Sequence, residues 1–179
     1  SQQRQHTEMT GIRCFVAVDL PEEMREEIGR LEEGIATAGL RLVRPDLVIG
    51  AVADLTAADL GRLVPDVSAL CFDIDGTVTD YHAPTVPDAA TAHLRGLRDA
   101  GYRTFVVSNC YGSRARAVHD LFEPHVTAVF TPEDCVDPTD PKPDPRRHGK
   151  PAPDMVLAAA RAAQVEPGAV LMVGDQVFK

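Results

Sequence analysis

The feature that most constrains the fold is a series of four short apolar runs between residue 67 and the end of the sequence. The runs are "ALCFDI", "YRTFVVS", "VTAVFT" and "GAVLMVG". Their continuous apolar character is typical of parallel strands that are buried on both faces. Segments with helical signals separate them, such as "PDAATAHLRGLRDAG", which begins at a proline and ends at a glycine. Strand alternating with helix predicts an α/β fold, a Rossmann-like parallel sheet with helices on both faces.

The N-terminal region has a different organisation. We expect residues 1–11 to form a disordered leader, since they are polar and show no periodicity. Residues 12–18 read as a strand, and a helix begins at Pro21 and ends at Gly39. We therefore predict a small strand-helix appendage over residues 12–45 and the α/β domain over residues 46–179.

Composition excludes several classes of function. The net charge of −9 argues against a nucleic-acid partner, because phosphate-backbone binding needs a basic surface. The sequence also has no apolar stretch of the roughly 20 residues that a transmembrane helix needs. The four cysteines are widely spaced and form no CxxC pair, which predicts reduced thiols and a cytoplasmic location.

Polar residues with catalytic potential follow the predicted strands. Asp73 and Asp75 stand at the end of the first run, Ser108 ends the second, and Asp175 follows the fourth. The carboxyl ends of parallel strands meet at one edge of the sheet, where such sheets bind their ligands. We therefore expect these side chains to form one site.

Four motifs in this order resemble the haloacid dehalogenase (HAD) superfamily of phosphatases. They are "DIDGT" from Asp73, "SN" from Ser108, Lys150 in "HGKPAPDM", and "GDQ" around Asp175. The resemblance implies that Asp73 is a nucleophile that forms an aspartyl-phosphate, and that Asp75 is the general acid and base. Lys150 would stabilise the negative charge of both the nucleophile and the phosphoryl group. Lys142 is the alternative for this lysine, although the "KPAPD" context favours Lys150.

The resemblance also implies a cofactor and a phosphate site. Crowded carboxylates require a hard cation, and Mg²⁺ is expected. Its protein ligands would be Asp73, the backbone carbonyl of Asp75, and Asp175. The predicted contacts to the substrate phosphate are Ser108, Asn109, Gly76 and Thr77.

These features predict a Mg²⁺-dependent phosphomonoester hydrolase without a cap domain, because the stretches between its motifs are too short to contain one. An open site suits a phosphorylated small molecule, a lipid head group, or cover from a second copy in a homo-oligomer. The stretch from "RPDLVIGAVADL" to "CFDIDGT" is similar to the YqeG-type branch of the superfamily.

Two alternatives remain open. The fourth motif usually continues to a second acid, which would fall beyond Lys179, so the chain could be an inactive truncated fragment or a binding module. The segment "RCFVAVDLPEEMREEIGRL" resembles the start of LigT-like 2H phosphoesterases, which are RNA 2′,3′-cyclic phosphodiesterases. That family needs two H-x-T/S motifs, and the expected first one is missing, which indicates a fusion remnant.

Overall fold

The fold is built on one parallel sheet. The computed structural model describes residues 13–16, 41–42, 55–80 and 82–174. Six strands lie in the order β2-β1-β6-β3-β4-β5, and all the pairings are parallel. The strands are β1 (Arg13–Val16), β2 (Arg41–Leu42), β3 (Ala69–Phe72), β4 (Arg103–Val107), β5 (Ala128–Phe130) and β6 (Val170–Gly174).

Helices connect the strands from β3 onward, as the sequence predicts. The α-helices are α1 (Ala57–Leu63), α2 (Asp88–Asp99), α3 (Gly112–Phe122) and α4 (Asp154–Ala163). Short 3₁₀ helices cover Pro132–Cys135, Pro145–His148 and Pro167–Ala169. In the described part of the chain, no helix is long and apolar enough to cross a membrane.

Hydrophobic side chains pack on both faces of the sheet. On one face, Leu70 and Phe72 of β3 lie in a cluster with buried residues of α2 and α3. On the other face, Cys71 packs in a second cluster with Met155 and Ala159 of α4. Successive strand residues point to opposite faces, so a strand covered on both sides must be apolar at every position. The prediction of an α/β sheet with helices on both faces is confirmed.

The strand register brings the predicted site residues to one edge of the sheet. β3 lies between β4 and β6. Just past the end of β3, the backbone N–H of Asp73 donates to the carbonyl of Val173 in β6, at 2.8 Å. The carboxyl ends of the three strands are therefore neighbours, and the segments that leave them must pass close to one another.

The N-terminal strand lies in the same sheet. β1 pairs with β6 over four residues, and β2 pairs with β1 on its other side. β1 falls within the strand predicted over residues 12–18, whereas β2 was not predicted. The predicted leader and the helix from Pro21 to Gly39 lie outside the described residues. The domain boundary at residue 45 stays a prediction, and β1 and β6 pair across it.

A histidine joins α3 to the segment that follows β5. The ring nitrogens of His119 lie 3.1 Å from a carboxylate oxygen of Glu123 and 2.9 Å from one of Asp134. The same Asp134 oxygen accepts from the backbone N–H of Thr131, at 2.7 Å. Burial opposes protonation of His119, but the two carboxylates outweigh it and raise the pKa of the imidazole above its usual value.

We predict that His119→Gln lowers the free energy of unfolding more at pH 5.5 than at pH 9. A raised pKa in the folded state adds stability below the unfolded pKa of about 6.5, and this contribution is lost as the pH rises through the folded-state pKa. The expected difference is about 1 kcal/mol, as for other exposed or half-exposed ion pairs. Urea unfolding at the two pH values measures it. Arg116→Gln, on the exposed side of the same helix, is the control, and an equal loss at both pH values would contradict the prediction.

Candidate active site

The centre of the site is an ion pair between Asp73 and Lys150. The Nζ of Lys150 lies 2.6 Å from Oδ1 of Asp73, and both side chains are about one-fifth exposed. The backbone N–H of Ile74 donates to the same oxygen, at 2.9 Å. Lys150 also donates to the carbonyl of Val107, the last residue of β4, at 3.3 Å. The ammonium group therefore connects the ends of β3 and β4 and fixes one oxygen of the Asp73 carboxylate.

Asp75 is held by two different donors. Its Oδ1 accepts from the backbone N–H of His82, at 2.8 Å. The guanidinium of Arg114 lies 3.4 Å from the same oxygen. Asp75 is partly exposed, and its backbone forms an isolated bridge with Thr79. The second carboxylate is thus oriented by the loop that follows it and by helix α3.

A tight turn separates Asp75 from the rest of that loop. Gly76 has a φ of 77°, a left-handed conformation that favours glycine. The backbone N–H groups of Thr77, Val78 and Thr79 all donate to the carbonyl of Ile74. The hydroxyl of Thr77 is buried and has no hydrogen-bond partner among the described residues. The phosphate contacts assigned to Gly76 and Thr77 stay predictions.

Asn109 holds the main chain of Lys150. Its side-chain Oδ1 accepts from the backbone N–H of Lys150, at 2.6 Å, and its Nδ2 donates to the backbone carbonyl of the same residue, at 3.0 Å. Both polar atoms of the amide are therefore engaged with Lys150. The predicted contact of Asn109 with phosphate stays a prediction, while positioning Lys150 is a role that the sequence analysis did not assign.

The segment that carries Lys150 approaches Asn109 closely. A Cβ atom added to Gly149 would lie 2.9 Å from the Oη of Tyr111 and 3.2 Å from the Oδ1 of Asn109. Only glycine fits this approach without a shift of its neighbours. Lys142, the alternative lysine, is exposed in the loop before this segment, and the structure brings Lys150 to Asp73 instead.

Ser108 follows β4 and is buried, and its backbone N–H donates to the carbonyl of Phe130, at 3.2 Å. The next residue but one, Cys110, is also buried. Burial raises the pKa of the Cys110 thiol, so the thiol stays protonated at neutral pH and is a poor nucleophile. Cys71, Cys110 and Cys135 form no disulfide among the described residues, and the reduced state of the cysteines stays a prediction.

Arg114 is a site residue that the sequence analysis missed. It lies in the first turn of α3, on the helix that begins just after the Ser108 motif. A basic residue in the first turn is unfavourable for the helix dipole, which prefers acidic residues there. An arginine at this unfavourable position was the sequence signal for a functional role. Its contact with Asp75 compensates for the unfavourable interaction with the helix dipole.

Two of the three predicted cation ligands fall within the described residues, the Asp73 carboxylate and the backbone carbonyl of Asp75. Among these residues, no group of three or more His, Cys, Asp or Glu side chains could hold a metal ion. The third predicted ligand, Asp175, lies outside them. Gly174, immediately before it, is adjacent to Asp73, since a Cβ added there would lie 4.0 Å from the Asp73 Oδ2. An all-oxygen set of this kind fits Mg²⁺ in its chemistry, and the contribution of Asp175 stays a prediction.

The chain was compared with known proteins. A family model described as a haloacid dehalogenase-like hydrolase matches residues 82–178. Among solved structures, the chain is similar to an uncharacterized protein from Corynebacterium glutamicum, with 19% identity and a TM-score of 0.45, over 62% of this chain and 73% of that one. No curated protein matches the chain.

We predict that Asn109→Ala lowers kcat on 4-nitrophenyl phosphate by roughly 10- to 100-fold, the usual cost of removing a residue that orients a functional group. KM should change little if the amide acts through Lys150 and not on the phosphate. Steady-state kinetics of Asn109→Ala and Lys150→Ala, singly and combined, measure the effect.

The double variant provides the control. If Asn109 acts by positioning Lys150, the double variant should be no slower than Lys150→Ala alone, because the amide then has nothing left to orient. Losses that multiply in the double variant, or a rise in KM alone, would contradict the positioning role.

Proposed function

Since the chain belongs to the haloacid dehalogenase-like hydrolases, we propose that it hydrolyses phosphate monoesters through an aspartyl-phosphate on Asp73. The observation that carries the proposal is the 2.6 Å contact between Asp73 and Lys150 at the carboxyl ends of β3 and β4. The family match begins at residue 82, so the assignment of Asp73 and Asp75 is supported by the geometry and by their motif.

Asp73 is the proposed nucleophile. Its Oδ1 is engaged by Lys150 and by the N–H of Ile74, which orients the carboxylate. The other oxygen attacks phosphorus, so that one O–P bond forms as the bond to the leaving oxygen breaks. Lys150 neutralises part of the negative charge on the transferring group.

Asp75 is the proposed general acid and base. In the first step its protonated form gives a proton to the leaving oxygen, which departs as an alcohol. In the second step its carboxylate takes a proton from the water that attacks the aspartyl-phosphate, and phosphate and free Asp73 are released. The donors from His82 and Arg114 keep the carboxyl group in one orientation for both steps.

A Mg²⁺ ion is part of the proposal. Asp73, the backbone carbonyl of Asp75, and Asp175 would hold it. When bound, the ion neutralises charge on the phosphoryl oxygens and reduces the repulsion between the phosphate dianion and the two carboxylates.

The substrate is proposed to be a phosphorylated small molecule or a lipid head group, and not a nucleic acid, because the chain is acidic. A cytoplasmic location is proposed because the cysteines are widely spaced and form no CxxC pair. A homo-oligomer is proposed because a second copy would cover the open site. The YqeG-type and LigT-like resemblances stay predictions, since neither comparison shows them.

We predict that Asp73→Asn abolishes hydrolysis of 4-nitrophenyl phosphate, with at least a roughly 1,000-fold loss of kcat/KM, because an amide oxygen is a poor nucleophile. Asp75→Asn should also be strongly impaired. Release of 4-nitrophenol measures both. Asp120→Asn, an exposed carboxylate on α3, is the matched control and should retain parental activity. Activity that survives Asp73→Asn would overturn the mechanism.

Metal dependence is tested in the same assay. Removal of divalent cations with EDTA should abolish turnover by the parent protein, and added Mg²⁺ should restore it. Turnover that is unchanged by EDTA would contradict the proposed role of the cation. The proposed role of Asp73 would still be tested by Asp73→Asn.

A further inference from the structure

We propose that Arg114 selects substrates whose leaving group carries a second anionic group, a carboxylate or a phosphate. The inference rests on the proposed function, because it takes Asp75 as the residue that protonates the leaving oxygen. It concerns the substrate class, which the family match leaves undefined.

The position of Arg114 follows from its partner. A general acid must lie within hydrogen-bond reach of the oxygen that it protonates, about 2.6–3.2 Å. Arg114 lies 3.4 Å from an oxygen of Asp75, so its guanidinium would lie near a leaving group that Asp75 protonates. Lys150 instead contacts the carboxylate of Asp73. The two cations of the site therefore serve different parts of the substrate.

Asp75 contacts only one nitrogen of the Arg114 guanidinium. The contact is a single long one to Nη2, whereas an arginine has five N–H donors in a planar fork. The shorter hydrogen bond to the same Asp75 oxygen comes from the backbone N–H of His82, at 2.8 Å. The orientation of Asp75 is thus secured largely by the loop, and among the described residues most N–H donors of Arg114 have no acceptor.

Because Arg114 and Asp75 are partly exposed, Arg114 can leave Asp75 and bind an anionic group of the substrate at little cost. Arg114 is 31% exposed and Asp75 is 27% exposed. An ion pair of this kind is weak, because water screens it. A carboxylate or phosphate on the substrate can instead accept two parallel N–H bonds from the guanidinium, which is the stronger arrangement.

The test compares esters that differ in the second group. Glycerol 3-phosphate has a neutral leaving group, 3-phosphoglycerate replaces its terminal CH₂OH with a carboxylate, and glycerol 1,3-bisphosphate carries a second phosphate instead. The parent protein should have a higher kcat/KM on one or both anionic esters. Which of them is preferred identifies the anion.

Arg114→Gln should lower kcat/KM on the preferred anionic ester by about 10- to 100-fold, the range for a lost charge-assisted hydrogen bond. It should lower kcat/KM on glycerol 3-phosphate by a clearly smaller factor, since only the weak, partly exposed pair with Asp75 is lost there. Arg114→Lys should restore part of the preference. Arg116→Gln is the control, because it removes an exposed arginine two residues further along the same helix.

Two results would overturn the inference. One is a parent protein with no preference among the three esters. The other is an equal loss on all three in Arg114→Gln, which would mean that the arginine only positions Asp75. The thermal unfolding midpoints of the variants show whether a loss comes from misfolding, and Arg114→Lys, which keeps the charge, then provides the comparison.

Binding separates this inference from the proposed function. If the parent hydrolyses neither these esters nor 4-nitrophenyl phosphate, the proposed function fails, and titration calorimetry of Asp73→Asn with each ester in the presence of Mg²⁺ still decides the role of Arg114. We expect tighter binding of an anionic ester, by about tenfold or more, and loss of that difference in Asp73→Asn/Arg114→Gln. Equal affinities, or no binding of any ester, would overturn the inference.

Discussion

The structure of the site depends on the ion pair between Asp73 and Lys150, which joins segments that are far apart in the chain. Partial burial makes such a pair costly unless hydrogen bonds compensate for the lost hydration. The N–H of Ile74 supplies one to Asp73, and the carbonyl of Val107 accepts one from Lys150. Asn109 then holds both backbone groups of Lys150. Without these three interactions, the lysine would be free to turn toward solvent.

The central strands make this arrangement possible because side chains pack against both of their faces. β3 lies between β4 and β6, so Asp73 is flanked by the ends of both neighbouring strands. α2 and α3 cover one face and α4 the other, which prevents the strands from shifting relative to one another. β1 continues the sheet beyond β6. Asp73, Asp75 and Lys150 lie in loops, and the strands fix where the loops after β3 and β4 begin.

The fold was predictable because its signal is local and repeated. A strand covered on both faces must be apolar at each position, and that requirement is visible in "ALCFDI" and "GAVLMVG" without any knowledge of the neighbours. The limits of helix α2 were also predictable from local signals, a proline at its start, Pro87, and a glycine after its end, Gly101. The pairing of β1 with β6 was not predictable, since an apolar strand carries no mark of its partner, and two-residue β2 is too short for a periodic pattern.

By itself, the sequence determined the order of the strands and helices from β3 onward and the polar residues that follow these strands, since both depend on residue type at consecutive positions. It indicated Asp73, Asp75 and Lys150 through their motifs. Only the tertiary structure decided what these residues contact. Asn109 bonds to a residue 41 positions away, and Arg114 contacts Asp75 across 39 positions. Such contacts depend on how helices and loops pack onto the sheet, and this packing is set by the whole core and not by any single stretch of sequence.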